Sequence, residues 1–398
     1  MTKSKFREFL FEAKHRTGLL AAAATVAVFL YMGVGAVAQS KSTFSALPPT
    51  PQAPKDNPTT PAKVALGRLL FWDPLLSGPQ DVACASCHHP QNGYAEDRDL
   101  SLGVTAIGLG KSRHQAPGST IPIVKRNSPT VLNIAFSGSD QSGSYDPATA
   151  PMFWDMRVKS LEKQALEPLK ALEEMRENTY PEGDEAVAKV VAKLQANAEY
   201  RRLFAGAFGG KQPVNAENLG RAIAAFERTL LANNSPFDRY MRGDRSAMTE
   251  EQVSGMQRFE RVGCIKCHNG PMFSDYKLHV MGVPDNPALP ASDDGAQNTY
   301  AFRTPTLRNL NFTGPYEHNG MFRTLSAVVG FYEDARTGRS RNPNVSSEKL
   351  DPLVRELGDF DEEDVDLIEF LRALSDDSFD KTIPERVPSG LPVGGKIQ

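Results

Sequence analysis

The chain has 398 residues, enough for two or three domains and a sizeable core. Its 45 basic and 48 acidic side chains leave a formal net charge of -3, which gives no electrostatic case for nucleic acid or an anionic membrane surface as partner. All four cysteines fall in two Cys-x-x-Cys-His motifs, so none is left for a disulfide framework.

Lys3, Lys5, Arg7, Lys14 and Arg16 precede an apolar run over 19–38, and Ala36-Val37-Ala38 before Gln39 has the form of a small-residue cleavage site. The run is also long enough to span a bilayer. A cleaved signal and an uncleaved inner-membrane anchor over 1–38 both stay open, and either predicts export to the periplasm. Residues 39–60 are rich in Pro, Thr and Ser and read as a flexible linker.

Thr60-Pro61 has the form of an N-cap followed by proline at the first helical position. The helix it opens runs through Val64, Ala65 and Leu69 toward Phe71-Trp72-Asp73-Pro74, with Trp72 read as core. Cys84-Ala85-Ser86-Cys87-His88 follows. Residues 89–151 show no sustained period, and their Gly, Pro and Ser mark long ordered loops over something large. A helix is predicted over 158–167, stopped by Pro168. Val187, Val190, Val191 and Leu194 form one apolar helical face after Asp184, and Leu219, Ile223, Phe226 and Leu230 form another after Asn215. Asn233-Asn234-Ser235-Pro236 marks a domain boundary.

Thr249-Glu250-Glu251-Gln252 is a capping box. It opens a helix with Val253, Met256 and Phe259, closed by Gly263 just before Cys264-Ile265-Lys266-Cys267-His268. Residues 269–345 are again loop-rich, and Asp361 opens a last amphipathic helix with Ile368, Leu371 and Leu374. Strand signals are few. The order helix, Cys-x-x-Cys-His, long loops, helices thus occurs twice. It predicts an all-α fold of two similar domains, 61–232 and 233–375, and a C-terminal tail over 376–398.

Two cysteines three apart with His next form the attachment signature of a c-type haem. Each thiol adds to one porphyrin vinyl group, and the adjacent His serves as proximal iron ligand. Zinc would ask for a fourth ligand that neither motif supplies, and a redox dithiol has no use for the His. Cys84, Cys87 and His88, and Cys264, Cys267 and His268, are therefore assigned to two covalently bound haem c groups. Of the other histidines, His15 lies in the targeting segment and His89 is read as solvent-facing. His114, in the loop after the first motif, is a candidate sixth ligand against a surface reading. His279 and His318 are read as hydrogen-bonded buried histidines.

These residues resemble the bacterial dihaem cytochrome c peroxidases and their relative MauG, over about 61–374. Leu66-Gly67-Arg68-Leu69-Leu70-Phe71-Trp72-Asp73-Pro74 with Leu76-Ser77 is similar to that family's opening helix and loop. Arg126-Asn127-Ser128-Pro129-Thr130-Val131-Leu132-Asn133 resembles the segment before the interhaem stretch. Phe153-Trp154-Asp155 with Arg157 resembles Phe-Trp-Asp-Gly-Arg, with Met156 in place of the usual Gly. Thr304-Pro305-Thr306-Leu307-Arg308-Asn309, Gly314-Pro315-Tyr316-Glu317-His318-Asn319-Gly320 and Thr324-Leu325 resemble the closing signature.

The resemblance implies two cytochrome c-like domains, each with one covalent haem, the first a peroxide site and the second an electron store. It implies Trp154 between the haems, and Gln164, Pro168 and Glu174 on the distal side of the first. It also implies a calcium ion at Asn127, Thr313 and Pro315, a donor set of amide and backbone oxygens that suits a hard cation. The family's peroxidases are often homodimers. Two departures stand out. Where resting peroxidases place a distal His on the loop after the first motif, this chain has Val104, with His114 further on. Where they place a Met ligand for the second iron, fourteen residues after His318, it has Tyr332, as MauG does. The alternatives to Tyr332 are Met281 and Met321. MauG's Trp before the second motif is replaced by the neighbourhood Arg261-Val262-Gly263.

At such a site one carboxylate can both take and return the proton of peroxide, and Glu174 is the choice, with Gln164 hydrogen-bonding nearby and Pro168 turning the chain. Glu173 and Glu177 are read as surface groups. The leading expectation is an exported peroxidase that reduces hydrogen peroxide with electrons from a small redox protein, a cytochrome c or cupredoxin. A MauG-like oxidase acting on a protein substrate is the second, and a plain dihaem electron carrier the third.

Overall fold

The computed structural model describes residues 44–398. In chain order its helices, besides the single turn Cys84–Cys87, are α1 (Pro61–Trp72), α2 (Leu161–Gln164), α3 (Glu167–Lys170), α4 (Gly183–Ala196), α5 (Ala198–Phe208), α6 (Ala216–Glu227), α7 (Pro236–Met241), α8 (Glu250–Arg261), α9 (Leu325–Arg336) and α10 (Val365–Ala373). The local start signals work as chemistry predicts. The Thr60, Asn215 and Thr249 side chains accept from the backbone N–H groups of Lys63, Asn218 and Gln252, and Thr249 and Gln252 close a full capping box.

The helix before each Cys motif crosses the last long helix of its half by the same device. On α1, a Cβ at Gly67 would lie 2.0 Å from the Ala222 carbonyl oxygen of α6. On α8, a Cβ at Gly255 would lie 1.9 Å from the Asp366 carbonyl oxygen of α10. Both crossings are backbone-close, and only glycine permits them. Around the first grows a core of Leu66, Leu70, Leu169, Val187, Leu194, Leu219 and Ile223. Around the second grows an aromatic core of Phe237, Phe259, Phe273 and Phe370, with Leu367 and Leu374.

Several expectations are corrected. The fold is mostly helical rather than all-α. Three short antiparallel ladders pair β1 (Ala106–Ile107) with β2 (His114–Gln115), β3 (Pro151–Met152) with β4 (Val158–Lys159), and β5 (Leu278–Val280) with β6 (Ala301–Arg303). Strands this short leave no alternation to read. The helix expected over 158–167 is instead β4, then α2, then α3. Pro168 sits in the first turn of α3, where its missing N–H is harmless, and it stops nothing. The second apolar face ends as a helix at Glu227 rather than Leu230, and the last helix is capped by Asp364 rather than Asp361.

The linker read over 39–60 is packed in its described part. Phe44 stacks on Phe273 at 5.5 Å in the second core, and the Leu47 N–H donates to Asp238 Oδ1 at 2.9 Å. Composition marks such a stretch as polar, whereas single apolar side chains within it find pockets that exist only in the fold. The C-terminal tail also returns. Phe379 and Val387 pack with Phe71, Trp72 and Tyr94 of the first half, and the Gly394 N–H donates to the Trp72 carbonyl at 2.8 Å. The apolar run over 19–38 lies outside the described residues. Among the described residues, no helix is long and apolar enough to cross a membrane.

Candidate functional site

A cavity of about 660 Å³ is lined by both Cys-x-x-Cys-His motifs. Cys84–Cys87 forms one helical turn, so its two sulfurs sit on one side, and Ser86 fixes the turn by accepting from the Ala83 N–H at 2.9 Å and donating to the Gly394 carbonyl at 2.8 Å. The second motif turns more tightly, after Gly263 at φ 93°. In each motif the His Nδ1 faces a backbone carbonyl: His88 to Tyr94 at 3.1 Å, His268 to Phe273 at 3.0 Å. A proton on Nδ1 leaves Nε2 with its lone pair, the tautomer an iron ligand needs. Burial pushes His88 down to about 4 and His268 downward, so both imidazoles are neutral near pH 7.

Burial also pushes the Cys84 and Cys264 thiols up to about 12 and Cys87 well above its ordinary value. That is the reverse of a redox dithiol, whose thiolate is stabilised. Much of the remaining wall is apolar, including Val131, Leu132, Ile134, Ile223, Phe259, Leu325, Val329 and Leu367. Neutral imidazoles, thiols one turn apart and an apolar wall fit two covalently held porphyrins.

The stretch with Trp154 lies on this cavity. The indole is buried, its Nε1 donates to the Asn127 carbonyl at 3.0 Å, and its ring meets His318 edge-on at 6.4 Å. Arg126 pairs with Asp155 at 2.7 Å and with both oxygens of Asp293, at 2.6 and 3.0 Å. The Arg303 N–H donates to the Trp154 carbonyl at 2.7 Å, and its guanidinium to the Phe153 carbonyl at 3.1 Å. Met156, where the resemblance expects glycine, holds φ 56°, a left-handed conformation that costs an ordinary side chain about 1–2 kcal/mol.

Gln164, Pro168 and Glu174 line the same cavity. Glu174 lies in a wide π-type turn, Leu172–Arg176, in which the Arg176 N–H reaches back to the Ala171 carbonyl at 3.0 Å. Burial, and then the neighbouring Glu173, push its carboxyl up to about 7. Glu173, read as a surface group, reaches the cavity wall too. Two residues that sequence reasoning missed belong here. At Gly103 a Cβ would lie 2.2 Å from the Glu173 carbonyl oxygen and 2.3 Å from that of Glu174, while the Val104 N–H donates to the Glu174 carbonyl at 2.9 Å. Glu227, at the end of α6, is buried on the cavity wall with one oxygen unbonded, and burial pushes it up to about 8. No local pattern distinguishes either residue.

On the second side, Tyr332 of α9 lines the cavity, as does Met281 just after β5, while Met321 is absent from its wall. Burial raises the Tyr332 phenol well above its usual range, and Glu317 raises it further. Asn127, Thr313 and Pro315 all line the cavity, and the Asn127 amide nitrogen is committed to the Arg98 carbonyl at 2.6 Å. Val262 is buried in the second core. His114 is exposed on β2, bonded to the Ser112 carbonyl at 3.0 Å and off the cavity wall, so it is not placed to ligate. His89, read as solvent-facing, is buried edge-on against Trp72 at 5.5 Å. His318 is buried as expected and stacks on Phe302 at 3.5 Å, but its Nδ1 makes no hydrogen bond. His279 is bonded at both ring nitrogens, to Asp275 at 3.1 Å and to Asp351 at 2.7 Å.

Two halves built alike, each presenting a Cys-x-x-Cys-His turn to a shared cavity, define a dihaem c-type cytochrome. Comparison with known proteins narrows the class. Residues 61–246 match the family model described as di-haem cytochrome c peroxidase. The methylamine utilization protein MauG of Methylorubrum extorquens is 35% identical over 338 residues, covering 83% of each chain. Cytochrome-c peroxidase IdrP1 of Pseudomonas sp. (strain SCT) is 34% identical over 365 residues, covering 83% of this chain and 84% of its own. The crystal structure of a MauG-like protein associated with microbial copper homeostasis superposes with a TM-score of 0.66 at 27% identity, covering 83% of this chain and 94% of its own. The chain belongs to the di-haem cytochrome c peroxidase family, which includes MauG, and that membership implies two haem c cofactors.

Proposed function

We propose that the protein is an exported dihaem peroxidase, reducing hydrogen peroxide to water with electrons from a small redox protein such as a cytochrome c or cupredoxin. The observation that carries this reading is Glu174, a carboxyl held at about 7 on the wall it shares with His88. Cys84, Cys87 and His88 would hold a haem, which would supply the iron for splitting peroxide. Glu174 takes the proton from one peroxide oxygen and returns it to the leaving one, which a pKa near the working pH favours. Gln164 orients the peroxide by hydrogen bonding. Trp154, fixed at both its indole and its backbone, would relay electrons between the haems held by the two motifs. The N-terminal charges and apolar run support a periplasmic location, and Asn127, Thr313 and Pro315 are proposed to hold a calcium ion that ties the two halves.

A MauG-like oxidase acting on a partner protein is the second reading. Tyr332 on the cavity wall favours it, since an anionic phenolate ligand stabilises ferric iron. Val262, where MauG has Trp, counts against it. A plain electron carrier has no use for a half-buried cavity carboxyl such as Glu174.

The test is peroxide-driven oxidation of reduced cytochrome c or cupredoxin. Glu174→Gln is expected to lower turnover about 100-fold or more, with both haems still attached by haem quantitation. Unaltered turnover removes Glu174 from this role. If the wild-type protein reacts with peroxide yet oxidises neither donor, the reading passes to the MauG-like one.

A further inference from the structure

Beside the second motif lies an ion cluster to which neither proposed reaction assigns a role. His279, on β5, sits between two carboxylates, with Nε2 3.1 Å from Asp275 Oδ2 and Nδ1 2.7 Å from Asp351 Oδ2. Ionised carboxylates only accept, so both ring nitrogens carry hydrogens and the ring is an imidazolium. The other Asp275 oxygen accepts from Thr304 Oγ1 at 2.8 Å and the Lys277 N–H at 3.0 Å, and the other Asp351 oxygen from the Leu353 N–H at 2.9 Å. Each of the two groups thus accepts hydrogen bonds at both of its oxygens. No Lys or Arg pairs with either one among the described residues. Two negative charges against one positive leave the cluster at -1.

The cluster adjoins the porphyrin attachment point. The Cys267 sulfur, an Asp275 oxygen and a His279 nitrogen all lie within 4.8 Å of one another. Such a trio resembles a metal site, but a Cys267 sulfur spent in a thioether offers no thiolate to a second metal. Near the corresponding Cys87 stands the buried pair of Arg113 and Glu96, 3.3 Å apart, and the Glu174 carboxyl also acts on that sulfur. Negative charge near a haem stabilises the ferric over the ferrous state.

We infer that the Asp275–His279–Asp351 cluster is an electrostatic positioning element that lowers the reduction potential of the second haem. It acts through the field at the Cys267 edge of the porphyrin. The three residues touch no substrate in this role.

The inference rests on the reading that the second motif carries a haem, and not on peroxide turnover. Haem quantitation on the wild-type protein checks that reading separately, and one haem per chain would defeat it. The inference itself is tested by spectroelectrochemical titration of the intact dihaem protein at mildly alkaline pH, where the carboxylates stay ionised. Asp351→Asn removes a negative charge and is expected to shift the second haem's potential up. His279→Gln removes the positive charge and is expected to shift it down. The first haem is expected to hold its value in both. Shifts of opposite sign are what a field produces, whereas a loosened pocket moves both variants the same way. An unmoved second haem, a shift of the same sign in both, or an equal shift at the first haem overturns the inference. Should Asp351→Asn fail to accumulate, Asp275→Asn carries the same expected upward shift.

Discussion

Glu174 shows how one residue acquires a function from its surroundings. A glutamate ordinarily titrates at 4.5, and this one is raised to about 7 because burial penalises its charge and Glu173 repels it, with Arg157 opposing only in part. The proposed reaction starts from the ionised form. Its rate is therefore expected to be level above about 7 and to fall about tenfold per pH unit below that. The kcat/KM for peroxide, which reports the free enzyme, measures this directly. A profile that stays level down to 4.5 removes Glu174 as the base. The type of residue was legible in the sequence through the family pattern. Its burial and altered pKa were not, because they arise from neighbours brought in by the fold.

At the scale of elements, the placement of Glu174 depends on two loops meeting. The turn Leu172–Arg176 presents the carboxyl, and the Leu102–Gly103–Val104 backbone presses against that turn from the loop after the first motif. Gly103→Ala would put a methyl 2.2 Å from one carbonyl oxygen and 2.3 Å from the next, so one strand of chain must move. The expected outcome is a loss of about 1–3 kcal/mol in stability and of about 100-fold in peroxide turnover, the scale of an ångström's misplacement. Denaturant titration and steady-state kinetics measure the two. Wild-type kinetics in a folded variant would show that Gly103 does not position Glu174. Helix starts with a local signal, such as those at Thr60, Asn215 and Thr249, were readable because cap and capped N–H lie within three residues. Pro168 is ambiguous in sequence because a helix-stopping proline and a first-turn proline look alike until the flanking dihedrals are known.

The described chain is laced by its two ends. The described N-terminal segment packs Phe44 into the second core, and the C-terminal segment packs Phe379 and Val387 against the first half. The tail also bonds its Ser389 hydroxyl to Asp73 at 2.7 Å, and Tyr94 donates to the Asp380 carbonyl at 2.7 Å. Deleting 376–398 uncovers Phe71, Trp72 and Tyr94. It is expected to cost on the order of 5 kcal/mol, from the loss of several buried apolar side chains, and to lower the unfolding midpoint followed by haem absorbance. An unchanged midpoint would show that the tail is not structural. The damage falls on the first half, although the tail follows the second in sequence.

By itself the sequence determined the two haem-attachment motifs, the twofold order of elements and the family, since each rests on residues a few positions apart or on a pattern shared along the chain. It also marked Trp154, Gln164 and Glu174 as site residues, and the structure brings all three to the cavity wall. The tertiary structure alone decided which loop backs Glu174, that His89 is buried, and where the two ends of the described chain pack. It also assembled Asp275, His279 and Asp351 into one charged cluster. Each of these depends on contacts between residues far apart in sequence, and on burial, which changes a side chain's charge and strength without changing its name.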